Sequence, residues 1–133
     1  MVRRIFVEKI KGFDVEAGKL LEDIRTDLMI PGLKGLRVVN RYDIENLDEE
    51  TYQMARTSVF SEPAIDLYYE EDLPLGHEEQ AFATWYLPGQ YDQRADSAVQ
   101  CIKLIQPEAN PVIRFARVVC VTGKINEEEL VNI

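Results

Sequence analysis

The stretch "FDVEAGKLLEDIRTDL" (13–28) decides the fold, because it predicts an amphipathic helix with an acidic residue at its start. Its apolar residues recur at intervals of three and four, which places them on one helical face. Asp14 precedes the periodic segment, where a carboxylate can accept a hydrogen bond from a free helical N–H group. The Pro-Gly pair at 31–32 is expected to end the helix. The apolar positions are Ala17, Leu20, Leu21, Ile24 and Leu28.

Segments typical of β-strands flank this helix. "VRRIFVEKI" (2–10) alternates apolar and polar residues, as a half-buried strand does. "GLRVVNRYDI" (35–44) is rich in β-branched residues and is either one bent strand or a hairpin. Asp48 then precedes a second amphipathic helix, and "AIDLYYE" (64–70) alternates again as a strand. The inward positions of the second helix are Tyr52, Ala55, Val59 and Phe60.

The same order of elements begins again after residue 80. "AFATWYL" (81–87) predicts a strand with Ala83, Trp85 and Leu87 on one face, and Asp92 then precedes another helix. Asp92 follows Asp14 by 78 residues, and at that offset Val7 aligns with Trp85. The tripeptide "RVV" also occurs twice, at 37–39 and, 80 residues later, at 117–119. We interpret this pattern as an internal duplication. The helix positions that align are Ala17, Leu20, Leu21 and Ile24 with Ala95, Ala98, Val99 and Ile102.

The duplication divides a single domain (1–133) into a first repeat (2–70), a linker (71–80) and a second repeat (81–133). Each repeat pairs strands with helices, so we expect an α+β two-layer sandwich with internal pseudo-two-fold symmetry. The same spacing would close the second repeat at about residue 148. We therefore expect the chain to be truncated inside a fourth helix, "NEEELVNI" (126–133), and to self-associate through the unpaired sheet edge that a missing strand leaves.

Composition restricts the partners and the compartment. The 133 residues carry a net charge of −9, from 24 acidic and 15 basic residues, which argues against nucleic acid and anionic membranes as partners. No apolar run approaches the roughly 20 residues that span a bilayer, and the N-terminus lacks the features of a secretion signal. Cys101 and Cys120 lie within apolar patterns, and we expect both to be reduced core residues of a cytoplasmic protein.

The search for catalytic groups is mostly negative. The single histidine, His77, lies in the acidic linker, which suits a surface residue better than a catalytic one. The sequence has no P-loop, dinucleotide-binding glycine pattern, Cys-x-x-Cys or His-Glu-x-x-His motif. Cys101 lies on the flank of its helix without a partner base, so it is expected to be a semi-buried structural thiol.

The densest group of polar side chains lies in "YLPGQYDQRADSAVQCI" (86–102), where a Pro-Gly turn leads into the helix of the second repeat. A capped turn explains part of the pattern, with Asp92 as the cap. The matching stretch of the first repeat does the same with fewer polar groups, and a helix start beside an arginine can hold a phosphate or a carboxylate. The loop is therefore either a solvated helix start or a surface that docks a partner or edges a ligand. The candidate residues are Gln90, Tyr91, Asp92, Gln93, Arg94, Asp96 and Ser97.

Four stretches carry a resemblance to a known family. "RRIFVEKIKGFDVEA", "RVVNRYDIENL", "VFSEPAIDLYYEE" and above all "YLPGQYDQRADSAVQCI" resemble the N-terminal region of large, single-chain phosphoribosylformylglycinamidine synthases, most closely the clostridial and related Firmicutes form. The resemblance covers essentially the whole chain. That region is similar to a fused pair of the small PurS subunit found where the enzyme is split, which agrees with the duplication. The resemblance thus implies tandem PurS-like repeats.

The resemblance also implies a role. Enzymes of this family use ATP and glutamine, usually with magnesium, to make formylglycinamidine ribonucleotide in purine biosynthesis. ATP and the ribonucleotide bind the following synthetase domain, and the nucleophilic cysteine belongs to the C-terminal glutaminase domain. The PurS-like region is then expected to dock those two domains, and by itself to lack activity, catalytic residues, cofactors and metals. Cys101 and Cys120 match no glutaminase motif.

Two alternatives belong to other functional classes. One is a free-standing tandem α+β module in which the helix start of the second repeat binds an anionic metabolite; thermal shift in the presence of ligand would reveal it. The other is an independent small enzyme that uses Tyr91, Asp92 and Asp96. It is the weaker alternative, because no base or nucleophile accompanies these side chains.

Overall fold

The computed structural model describes residues 2–27, 33–77, 79–85 and 90–123. These residues form an α+β fold with a five-stranded antiparallel sheet and three α-helices. A π-helical turn, Arg56–Phe60, follows the second helix directly. The strands are β1 (Arg3–Lys9), β2 (Leu33–Glu45), β3 (Asp66–Glu70), β4 (Glu79–Trp85) and β5 (Val112–Gly123), and the helices are α1 (Val15–Asp27), α2 (Glu49–Ala55) and α3 (Gln93–Ile105).

The two longest strands pair at the centre of the sheet. The strand order is β3-β1-β2-β5-β4, and each neighbouring pair is antiparallel. Leu33–Glu45 is therefore one strand and not a hairpin, and it pairs with β5 along its whole length. β1 borders one half of β2, from Asn40 to Ile44, whereas β4 borders β5 from Ala116 to Thr122, nearer the other end of the sheet.

The helices cover one face of this sheet and make the second layer. α2 and α3 enclose the larger core, where Ile102 meets Tyr42 and Ile5. α1 encloses a smaller core, where Ile24 meets Leu33. The predicted inward positions of the helices are buried or half-buried, as expected from their spacing. Leu28, the Pro-Gly pairs at 31–32 and 88–89, Leu87 and the predicted fourth helix lie outside the described residues.

The N-cap predictions have different outcomes. The Asp48 carboxylate accepts a hydrogen bond from the Thr51 amide at 3.1 Å, as an N-cap does. Asp14 directly precedes α1, and its backbone carbonyl accepts from Gly18, but its carboxylate accepts from the Gly12 amide at 3.2 Å. Gly12 has a φ of +100°, a conformation that glycine adopts at no steric cost. The carboxylate of Asp14 thus stabilises the turn before the helix.

No helix of the described ranges lies over the opposite side of the sheet, which we call the open face. Its apolar centre is a cluster of Phe6, Val39, Val118 and Cys120. Leu73, from the segment that joins β3 to β4, packs against this cluster. That segment was predicted to be a polar linker over 71–80. It is shorter than predicted because β4 begins at Glu79, and its apolar residue helps to bury the sheet.

Arg37 attaches the same segment to the open face. Its guanidinium donates two hydrogen bonds to the Glu8 carboxylate, at 3.0 and 2.6 Å, and one to Glu79 at 2.9 Å. It also donates to the Pro74 carbonyl at 3.2 Å, while the Gly76 amide donates to Glu79 at 2.9 Å. One arginine therefore joins β1, β2, β4 and the connecting segment.

The strand part of the sequence alignment is wrong by face. Val7 is buried beneath the helices, whereas Trp85, its expected counterpart, is 65% exposed on the open face. Arg37 pairs with Glu8 on the open face, whereas Arg117 reaches Glu16 of α1 on the helical face at 2.6 Å. Side chains alternate along a strand, so an alignment shifted by one residue exchanges the two faces. The "RVV" tripeptides are therefore not structural equivalents.

The two free thiols occupy different environments. Cys120 is buried, but Cys101 is exposed, so the prediction that both are core residues is wrong for Cys101. Burial raises the pKa of Cys120 from 9.0 to about 11. Above pH 9 the unfolded thiol loses its proton while the folded thiol keeps it, so this group makes the fold less stable as the pH rises from 9 towards about 11.

Thiol chemistry can test this arrangement. We expect a disulfide reagent at pH 8 to modify Cys101 rapidly, and Cys120 only as fast as the protein unfolds. Cys101→Ser should remove the rapid phase and leave the slow one. Two rapid phases in the native protein would contradict the burial of Cys120.

Candidate docking site at the start of the third helix

Asp92 joins the start of α3 to the sheet. One carboxylate oxygen, Oδ1, accepts a hydrogen bond from the Ala95 amide at 3.0 Å and thereby caps the helix, as predicted. The other, Oδ2, accepts from the Phe115 amide of β5 at 3.1 Å. Both oxygens are therefore used within the fold, so Asp92 positions the loop and is not available to a partner.

Tyr91 and Asp96 form a pair on the surface. The Tyr91 hydroxyl donates a hydrogen bond to Asp96 Oδ2 at 2.7 Å, and this bond raises the pKa of the tyrosine. The Tyr91 side chain is 68% exposed. Asp96 thus holds a large aromatic ring in an exposed position, and exposed aromatic residues are enriched in protein interfaces.

Arg94 lies between two clefts. Its guanidinium carbon is 5.3 Å from the centroid of the Phe115 ring, within the range of a cation–π contact. Burial raises the pKa of Tyr42, and a hydrogen bond from Arg94 opposes that rise. These contacts orient the guanidinium, while the residue as a whole stays exposed.

Three of the candidate residues line the same cleft on the α2 side of Arg94. Gln93, Arg94 and Ser97 lie along it with the exposed Cys101, over a floor that includes Tyr42. The other cleft separates the starts of α3 and α1; it is lined by Arg94 together with Lys9, Phe13, Asp14, Ala17 and Asn40, among others. Gln90 is exposed just before the helix.

The arrangement suits binding better than catalysis. The described residues include no group of three or more His, Cys, Asp or Glu side chains placed to hold a metal ion. His77 lies in the segment between β3 and β4, far along the chain from α3, and is exposed. Cys101 shares its cleft with Arg94 but with no histidine. What the site offers is an oriented arginine, an exposed tyrosine and short polar side chains.

Sequence reasoning missed a second group of polar residues, on the open face. Arg37, Arg41 and Asp43 alternate along β2 with residues of the helical face. The signal was present in "RVVNRYD", where charged residues occupy every second position of a strand expected to be central. Such a strand usually carries apolar residues on any face that is covered by another layer.

No protein-family model, curated protein or solved structure matches this chain. No helix within the described ranges is long and apolar enough to cross a membrane. The function therefore has to be inferred from the fold, the site and the sequence resemblance.

Proposed function

We propose that this chain is the PurS-like N-terminal region of a large phosphoribosylformylglycinamidine synthase, and that it is a scaffold that docks the synthetase and glutaminase domains. ATP, magnesium and the reacting groups would belong to those other domains of a cytoplasmic ATP-dependent amidoligase. The observation that carries the proposal is the arrangement of the sheet, which is the one expected if two small subunits of the same fold were fused.

The strand register supports a duplication. Adding 77 to both members of the pair Ile5↔Tyr42 gives Phe82↔Val119, which is an observed pair of β4 and β5. The same operation converts Val7↔Asn40 into Thr84↔Arg117, also observed. Two βαβ units with the same internal register thus meet at the β2–β5 pair. The sequence offset of 78 still holds for the helices, so one residue separates the helix spacing from the strand spacing.

The helices follow the same symmetry. α1 comes directly after β1 but packs near β4, where Ile24 lies in one cluster with half-buried Phe82. α3 comes directly after β4 but packs over β1, where Ile102 lies in one cluster with Ile5. Each unit's helix therefore covers a strand of the other unit. This exchange is what a pseudo-two-fold axis between β2 and β5 would produce.

The scaffold role also fits the start of α3. Asp92 and the Tyr91–Asp96 pair fix the backbone and one exposed ring, and Arg94 is oriented but accessible. Arginine and tyrosine are enriched among the residues that dominate binding energy at protein interfaces. Self-association of the chain stays a prediction. Among the described residues, no strand pairs with the outer edge of β4.

Association with the rest of a synthase tests the proposal. The chain should bind a separately expressed large synthase that lacks its N-terminal region and should restore ATP- and glutamine-dependent synthesis. Arg94→Ala should weaken this association about tenfold, because an oriented interface arginine would be lost. Lys103→Ala is the matched control, since Lys103 is an exposed cation on the same helix.

Each outcome has a distinct meaning. If the wild-type chain neither binds nor restores synthesis, the assignment to a synthase is wrong. If both variants bind as tightly as the wild type, the start of α3 is only a capped turn and docking occurs elsewhere. ATP- and glutamine-dependent turnover by the chain alone would contradict a scaffold role.

A further inference from the structure

An arginine cluster crosses the open face at one end of the sheet. Arg4, Asp43 and Arg114 are neighbours in one row across β1, β2 and β5, and Arg41 is the next residue of β2 on this face. Asp43 accepts hydrogen bonds from Arg4 at 2.6 and 3.3 Å and lies 3.8 Å from Arg41. Three guanidinium groups therefore share a single carboxylate, on a chain whose net charge is −9.

The cluster is not satisfied internally. The Nε of Arg41 is buried and has no hydrogen-bond partner among the described residues. Arg114 is exposed and makes no hydrogen bond or ion pair within the same part of the chain. Arg37, on the same face, shows what a satisfied arginine looks like here, with Glu8 and Glu79 around it. A buried donor without an acceptor destabilises a fold, so the position of Arg41 favours an acceptor supplied from outside.

An exposed tryptophan lies beside this cluster. Trp85 is paired across the strands with Ala116, and Ala116 is paired with Arg41. Because Ala116 is small, it leaves the indole and the Arg41 guanidinium next to each other on the open face. Val112, beside Arg114 in a shallow groove, is also about half exposed. Tryptophan and arginine are the residue types most enriched among interface hot spots.

We propose that this arginine–tryptophan surface, formed by Trp85, Arg41, Arg114, Arg4 and Val112, docks a protein segment that carries carboxylates beside apolar side chains. The carboxylates complement the unneutralised guanidinium groups, and the apolar side chains cover Trp85 and Val112. A second copy of the chain suits the surface poorly, because a two-fold contact through this face would oppose the same arginines. This inference does not depend on the assignment to a synthase.

Trp85 is the only tryptophan, so its fluorescence reports on this surface alone. In the free protein, iodide should quench it more strongly, relative to neutral acrylamide, than it quenches free tryptophan, because the arginines concentrate anions nearby. This excess should fall about twofold in Arg114→Gln and rise at low ionic strength. Equal iodide-to-acrylamide ratios in wild type and Arg114→Gln would contradict the local positive potential.

A short peptide that alternates glutamate and leucine is the binding probe. It should shift Trp85 emission to the blue and protect it from acrylamide. Arg114→Gln and Arg41→Gln should each weaken binding about fivefold to tenfold. Arg25→Gln, at an exposed position of α1, should bind like the wild type. Arg114 is exposed, so its variant keeps the test valid if Arg41→Gln alters the fold.

Three results would overturn the proposal. A peptide with glutamine in place of glutamate that binds equally well would show that the arginines are not used. Inorganic phosphate that displaces the peptide at the peptide's own dissociation constant would indicate a small-anion site instead. A loss of binding in Arg25→Gln equal to that in Arg114→Gln would indicate attraction to the chain as a whole.

Discussion

Replacing Arg37 with methionine is expected to destabilise the fold by about 3 kcal/mol, because it leaves two largely buried carboxylates without their cation. Glu79 is 6% exposed and Glu8 is 12% exposed, and both depend on this guanidinium. The methionine keeps most of the aliphatic stem, so the loss comes mainly from the charge and its hydrogen bonds. Denaturant unfolding followed by circular dichroism would measure the change.

The contacts of Arg37 also predict where the loss should appear. The Pro74 carbonyl accepts one of its hydrogen bonds, so amide exchange should accelerate over the segment 71–77 by more than global destabilisation alone explains. Arg25→Met is a suitable control, because Arg25 is exposed on α1. That variant should change stability by less than about 0.5 kcal/mol. A loss from Arg37→Met no larger than the control's would contradict the proposed attachment.

Truncating Ile102 to alanine is expected to cost about 3 to 4 kcal/mol, because its side chain is fully buried in the larger core. Leu104, two residues further along α3, is 85% exposed and is the matched control. Leu104→Ala should change the free energy of unfolding by less than about 0.5 kcal/mol. Equal losses from the two variants would mean that α3 is rotated relative to its described position.

The same pair of variants separates stability from binding. Ile102→Ala should lower the melting temperature without changing the affinity of folded protein for a partner at the start of α3. Arg94→Ala should do the reverse. A partner whose affinity follows the melting temperature across both variants would recognise the overall fold rather than the candidate docking site.

The helices could be predicted from the sequence because their signals are local. The spacing of Ala95, Ala98 and Ile102 and the cap at Asp92 lie within one short stretch, and the structure confirms both. The cap of α2 at Asp48 was predicted for the same reason. Helix periodicity tolerates an error of one residue, since a shift by one position still leaves most of the apolar stripe facing the core.

Strand register could not be predicted in the same way. A shift of one residue reverses every side chain of a strand, and nothing near Trp85 or "RVV" in the sequence shows which face is covered. The open face was missed for a related reason. Arg37 finds Glu8 and Glu79 only after three strands have paired, across 29 and 42 residues of chain. The alternation of charges along β2 was visible, but its partners were not.

The candidate site was predicted in part. Asp92 was expected to be a cap, but its second hydrogen bond, to Phe115, depends on a strand 23 residues away. The stacking of Arg94 on that same residue is equally non-local. Cys101 was assigned to the core from an apolar pattern, although its position on the flank of the helix was already the better guide. Residues whose roles depend on sequence neighbours were thus predicted well.

The central pairing of β2 with β5 has a consequence for the order of folding. Val39 and Val118 meet across 79 residues of chain, and every other rung of this pair also joins distant segments. Contacts of such long range form slowly, since a large loop must close before they contribute any stabilisation. The pairing of β1 with β2, across a shorter loop, can form earlier and offer a template edge. The middle of the finished sheet is therefore expected to be the last part of it to assemble.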